Sequence, residues 1–223
     1  MDGLMSLAEH AGRGTLPLDV LAGLTLLALA PFVLVMTTSF VRIVVVLSLV
    51  RSAIGASSLP PNAVLTALAL MLTFAIMSPT VAAVSRDALE PYSAGKLTQR
   101  EAIERAYAPL RRFMLRQTQT RDLETFARIS GHAARGAAPE PATPPPEELL
   151  PAFVVGELRS AFAIGLALYL PFIAIDLAVA SILMGLGMFM LSPPIVSLPC
   201  KLLLFVMVDG WALVCGGVAS SFR

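Results

Sequence analysis

Met184 to Trp211 reads MGLGMFMLSPPIVSLPCKLLLFVMVDGW. An apolar run that carries Asp176 ends there in Met184, Met188, Phe189 and Met190. It breaks at Pro193 and Pro194, then restarts as a second apolar run holding Lys201 and Asp209. An ionised side chain at the centre of a bilayer-length helix costs roughly 2.5–3.5 kcal/mol, so such residues usually face protein or water and have a task. Gly185 and Gly187 lower the cost of leaving a helix, and the two prolines cannot continue one. The stretch therefore reads as a helical hairpin with a flexible apolar tip.

The totals agree with that reading. Hydrophobic residues make up 57% of the 223 and charged residues 14%, against roughly 25% charged in a soluble domain. Of the 31 Asp, Glu, Lys and Arg residues, 19 lie between Ser85 and Leu150. One small polar module thus sits between two apolar halves. The expected fold class is all-α and membrane-associated: two long kinked helical hairpins with a small polar helical module between them.

Outward from the hairpin, four segments follow. Residues 1–19 carry Asp2, Glu9, Arg13 and Asp19 among short apolar pieces; they lack the basic start and clean apolar core of a secretory signal and read as an amphipathic lead-in. Residues 20–84 form a first apolar hairpin. Its first arm, Val20 to Val50, is too long for one straight span of about 20 residues, and Pro31 predicts a kink or break near itself. The link with Pro60 and Pro61 turns the chain into a returning arm, Ala63 to Val84, interrupted by Ser78 and Pro79. Residues 85–150 are the polar module. Thr98 with Glu101 fits a capping box, Ile103, Tyr107, Leu110, Phe113 and Met114 recur at helical spacing, and the pattern predicts helices over Thr98–Thr118 and Arg121–Ile129. Within the module, 131–148 (GHAARGAAPEPATPPPEE) is a mobile loop by composition. Residues 151–223 are the second apolar hairpin with the turn at its tip. The module's 10 Lys/Arg against 9 Asp/Glu leave orientation unreadable.

Several arrangements of the intramembrane charges remain open. If both arms were helical up to Pro193, Asp176 would lie about 25 Å from the turn and Lys201 about 12 Å. They would then pair only between subunits. If Met184–Ser192 projects as a loop, both charges lie about 10 Å into their helices and can meet. Each charge could also snorkel to an interface. Arg42 with Asp209 is a second candidate pair. Glu157 and Arg159, near the start of their apolar segment, read as an exposed rim. The methionines fill irregular cores in any apolar chain, yet on a mobile turn their thioethers could close around many sequences without holding one tightly.

Other chemistries find little support. A net charge of +1 gives no basic field for nucleic acid. Cys200 and Cys215 have neither CxxC nor metal-ligand spacing, so no metal or cofactor is expected. His10 and His132 have no nucleophile beside them, and Asp176 and Asp209 lack the GxGD setting of an intramembrane aspartyl dyad. No enzyme is expected. The competing class is a stand-alone small-solute or ion transporter with Asp176 and Asp209 as cation sites near broken helices.

Long strings carry a resemblance: TSFVRIVVVLSLVRSAIGASSLPPNAVL from Thr38, ALMLTFAIMSP from Ala69, FMLRQTQTRDLETFARI from Phe113, LLPAFVVGELRSAFAIG from Leu149, and FIAIDLAVASILMGLGMFMLSPPIVSLPCKLLLFVMVDGW from Phe172. The chain resembles the FliP/SctR export-gate family of flagella and type III injectisomes from about Leu24 to Phe222, the flagellar branch more closely. The resemblance implies a homopentamer joined by FliQ/SctS-type, FliR/SctT-type and FlhB/SctU-type subunits in the bacterial inner membrane, within a basal body or injectisome base. That assembly passes unfolded exported proteins. The family's methionine gasket falls on Met184, Met188 and Met190, with Phe189 interrupting it as a departure, and its paired acid and base fall on Asp176 and Lys201. The implied hinges are Pro60, Pro61, Gly185, Gly187, Pro193 and Pro194.

Overall fold

The computed structural model describes residues 18–56, 59–131 and 144–222. The chain divides into two compact units, Met1–Val35 and Met36–Arg223. Residues 1–17 of the lead-in and most of the loop over 131–148 fall outside the described residues, while Leu18 and Asp19, expected in the lead-in, already belong to the first helix.

Helix α1 spans Leu18–Thr37 and runs through Pro31. The expected break near Pro31 falls instead at Thr38 and Ser39. Apolar helices tolerate an internal proline, whereas Thr37, Thr38 and Ser39 offer three consecutive hydroxyls that compete for backbone groups. Thr38 Oγ1 accepts from Phe40 N–H at 3.4 Å there.

Helix α2 covers Phe40–Ile54 and ends at Gly55, whose φ of +85° supplies the left-handed cap. Helix α3 covers Asn62–Val84, starting after Pro61 and passing through Pro79. Arg51 Nη1 ties the turn together by donating to Pro60 O at 3.3 Å and to Asn62 Oδ1. Beyond Val84 the rod continues through a π-helical turn, Ser85–Leu89, into α4, Glu90–Ser93. The composition thus turns polar at Arg86 while the backbone stays helical to Ser93.

The polar helices follow the sequence signals. Helix α5 is Gln99–Gln117, and both bonds of the Thr98–Glu101 capping box form. Thr98 N–H donates to Glu101 Oε2 at 2.8 Å, which holds the Glu101 carboxyl below its ordinary range. Helix α6 is Thr120–Ile129.

Helix α7 runs unbroken for 40 residues, Pro146–Gly185, through Pro151 and Pro171. Its first turn takes Pro146 to Glu148 out of the expected loop, with proline at the start, where the missing N–H costs nothing. Helix α8, Pro193–Met207, and α9, Gly210–Ser220, meet at a 64° bend. The sequence had suggested one returning arm. The break falls at Asp209, in a left-handed conformation at φ +49°, followed by Gly210 packed so closely that a Cβ would strike the Phe205 ring.

Helix α7 is the spine of the larger unit. One core joins Ile43, Leu47 and Val50 of α2, Leu65 of α3, Phe172 of α7, Phe205 of α8 and Val218 of α9. A second joins Met77 of α3, Phe113 and Met114 of α5, and Leu149 and Phe153 of α7. Each large side chain fully buried this way contributes roughly 1.5–3 kcal/mol. Gly165 lets α2 approach α7, since a Cβ there would run into the Leu49 side chain. The described residues hold no strand. Among the described residues, two helical rods, Asn62–Ser93 and Pro146–Gly185, are long and apolar enough to cross a membrane, and two bent pairs raise the total to four if each is one span.

Candidate functional site

The tip of the second hairpin is built by a helix stop. Helix α7 ends at Gly185, and Gly187 adopts φ +73°. Gly187 N–H donates to Met184 O at 3.0 Å and Met188 N–H reaches back to Leu183 O at 2.9 Å. That pair of bonds is the Schellman pattern, and its left-handed position falls on a glycine. Gly187 therefore does the turning while Gly185 stays helical. Residues 186–192 cross to Pro193 and Pro194, which open α8 at positions where their missing N–H groups are no loss.

Met184 stands in the last turn of α7, with Met188, Phe189 and Met190 on the crossing. Phe189 is 80% exposed and Met190 is fully exposed. These apolar side chains find no cover within one subunit.

Behind the tip lies the charge pair. Asp176 is nine residues before the end of α7 and Lys201 eight after the start of α8, so both lie about 12–14 Å deep. Lys201 Nζ meets Asp176 Oδ2 at 2.6 Å, and Ser197 Oγ donates to the other oxygen at 2.5 Å. Lys201 is buried while the Asp176 side chain keeps 38% of its surface. Helix continues to Gly185, one residue past the Met184 start expected for a loop, and the crossing is still short enough to hold the charges level. The Ser197 contribution was not foreseen. Its signal is the spacing of four residues to Lys201, which puts both on one helix face.

The second expected pair does not form. Arg42 turns to Glu157, with Nε to Oε2 at 2.8 Å and Nη2 on Oε1, and both side chains are buried. The same guanidinium donates to Ser221 O at 3.0 Å, Ser221 Oγ at 2.9 Å and Gln117 Oε1 at 3.3 Å. It also lies 3.9 Å from the centre of the Phe222 ring. Asp209 is exposed at the α8–α9 break. Burial selects Glu157, because a buried guanidinium needs a planar bidentate acceptor and a dense set of further oxygens. Glu157 is therefore no rim residue. Arg159, 39% exposed at its side chain, forms a fork with Asp122, with both N···O distances 2.7 Å. Those bonds hold the Asp122 carboxyl below its ordinary range against the opposing effect of burial. Sequence reasoning overlooked Gln117, Asp122, Ser221 and Phe222; of these, Asp122 alone had a charge to draw attention.

The FliP family pattern matches residues 23–218. Three relatives carry the name flagellar biosynthetic protein FliP. The one from Cereibacter sphaeroides is 47% identical over 220 residues, 98% of this chain and 72% of that protein. The one from Pectobacterium carotovorum subsp. carotovorum is 48% identical over 93% of this chain and 80% of its own length. The one from Bacillus subtilis (strain 168) is 44% identical over 89% of both. A pattern that covers the first hairpin, the polar helices, the charge pair and the methionine tip together leaves one conclusion: this chain belongs to the FliP family, on its flagellar branch.

Proposed function

We propose that this chain is a core subunit of the flagellar protein-export gate in the bacterial inner membrane. Copies of it encircle an axis, five by family resemblance, and their α7–α8 tips meet there. With FliQ-type, FliR-type and FlhB-type subunits they form a passive conduit for unfolded protein, while energy and chemistry are supplied elsewhere. The observation that carries this reading is the tip itself. Met184, Met188, Phe189 and Met190 are all exposed on a crossing pinned by Gly187 and by the Asp176–Lys201 pair. Flexible thioethers on a pinned crossing suit a seal that must close around chains of any sequence. Phe189 adds bulk that a row of methionines would lack.

Changing Met184, Met188 and Met190 together to Ala should leave assembly intact and let small ions leak through membranes that hold the whole complex. Ion conductance measured beside subunit stoichiometry reads both at once. Unchanged conductance in an intact complex would remove the seal. A solute transporter, by contrast, would take up its solute as this chain alone in liposomes, and its carboxylate at Asp176 would need to be free to bind; here it is engaged by Lys201 and Ser197.

A further inference from the structure

Where α3 gives way to its π-helical turn, a cleft of about 530 Å³ opens against α5. Three arginines line it: Arg86 from the π turn, and Arg112 and Arg116 from α5. The apolar part of the wall comes from Pro79, Ala83 and Leu115. All three arginines are exposed. Arg86 Nε is held by Asp87 Oδ1 at 2.9 Å, which leaves the other donors of its guanidinium available. Glu90 also lies near enough to act on Arg86, so three cations face two carboxylates and keep an excess of one positive charge at one spot.

The placement is informative. Inserted residues of the π type inside helices recur at functional positions, and this one carries Arg86. The cleft lies where an apolar rod turns polar. Ala82 is exposed beside Ala83 of the cleft wall, and toward the start of α3, on the helical face that Pro79 continues, Ala75 and Met71 are exposed, Met71 at 69%. An occupant that satisfies both parts has an anionic head for the guanidinium forks and an apolar tail for the α3 track. An acidic peptide has the head without the tail. Guanidinium groups are suited to phosphate oxygens by geometry as well as charge.

We propose that this cleft is a binding site for the phosphate headgroup of an anionic phospholipid, whose acyl chains lie along α3. None of its lining residues belongs to the gate tip, to the Arg42–Glu157 pair or to the Asp176–Lys201 pair.

The test uses the full chain, purified in its complex and exchanged into nanodiscs of phosphatidylglycerol mixed with phosphatidylcholine, with retained lipid counted by native mass spectrometry after detergent release. Wild type should keep phosphatidylglycerol over phosphatidylcholine. Each of Arg86→Gln, Arg112→Gln and Arg116→Gln should weaken that preference about fivefold, as one surface arginine near an anionic lipid does. The triple variant should abolish it, and Arg100→Gln and Arg128→Gln should leave it intact. Helicity and stoichiometry are read on the same samples, and the single variants carry the test if the triple variant fails to fold. Equal retention by wild type and all three single variants overturns the site. Release of phosphatidylglycerol by millimolar inorganic phosphate, with phosphate then bound in its place at equal strength, overturns the lipid as occupant.

Discussion

Arg42 donates to Glu157, Ser221 and Gln117 at once, and its removal should be felt accordingly. Taking one partner from a buried ion pair leaves the other charge uncompensated, at about 3–5 kcal/mol. Arg42→Ala and Glu157→Ala should each lower unfolding stability in detergent by that amount, read as a lower thermal unfolding midpoint. Arg42→Met with Glu157→Leu should recover most of the loss, because an apolar pair of similar volume needs no compensation. A double variant as unstable as the singles would show that Gln117 and Ser221 matter more than the pair. Asp122 gives a pH signature outside the spans. Its folded pKa is depressed by the Arg159 fork, so its stabilising effect is fully present above the unfolded value of about 3.9 and is lost as pH falls through the folded value. The unfolding midpoint should therefore decline on the acid side of about pH 4, and Asp122→Asn should flatten that decline while lowering stability at neutral pH. What the sequence disclosed at this scale was which residues matter, seldom whom they meet. Thr98 and Glu101 are three positions apart, so local geometry fixed their bonds. Arg42 and Glu157 are 115 apart, and nothing in a single sequence specifies the height of either in the bundle.

Elements were legible by hydrophobic run and by punctuation, and the errors share a cause. Proline was weighted too heavily at Pro31 and Pro79, both of which the helices absorb. Hydroxyl clusters and Asp-Gly were weighted too lightly, although the interruptions fall at Thr38–Ser39 and at Asp209. In a mostly apolar bundle a proline costs one bond that neighbours can replace, whereas a left-handed residue redirects the chain. The α7–α8 hairpin depends on its charge pair, so Asp176→Lys combined with Lys201→Asp should restore part of the assembly lost in either single change. The loss itself should lie between the roughly 0–1 kcal/mol of an exposed pair and the roughly 3–5 of a buried one, since Asp176 keeps over a third of its surface. No recovery in the exchanged chain would mean that each charge serves a different partner. The α2–α7 contact depends on Gly165. Gly165→Ala should cost about 1–3 kcal/mol by overpacking, and Leu49→Ala in the same chain should relieve it; additive losses in the denaturation midpoint would contradict the close approach.

At the scale of the whole molecule, the exposed apolar surface along α7 needs lipid or protein beside it; Phe162, Leu166, Leu170 and Leu177 each expose more than half their surface. In the proposed ring, the tips of neighbouring subunits supply that cover for Met184, Met188, Phe189 and Met190. The Arg42 node adds a constraint of timing. Its acceptors lie 75, 115 and 179 positions downstream, and ribosomes add roughly 5–20 residues per second. A nascent chain therefore carries a guanidinium in an otherwise greasy segment for about ten seconds or more before Ser221 is even synthesised. Until then the guanidinium costs α2 roughly 2.5–3.5 kcal/mol at the centre of a lipid layer, a penalty that shelter by protein during translation would remove.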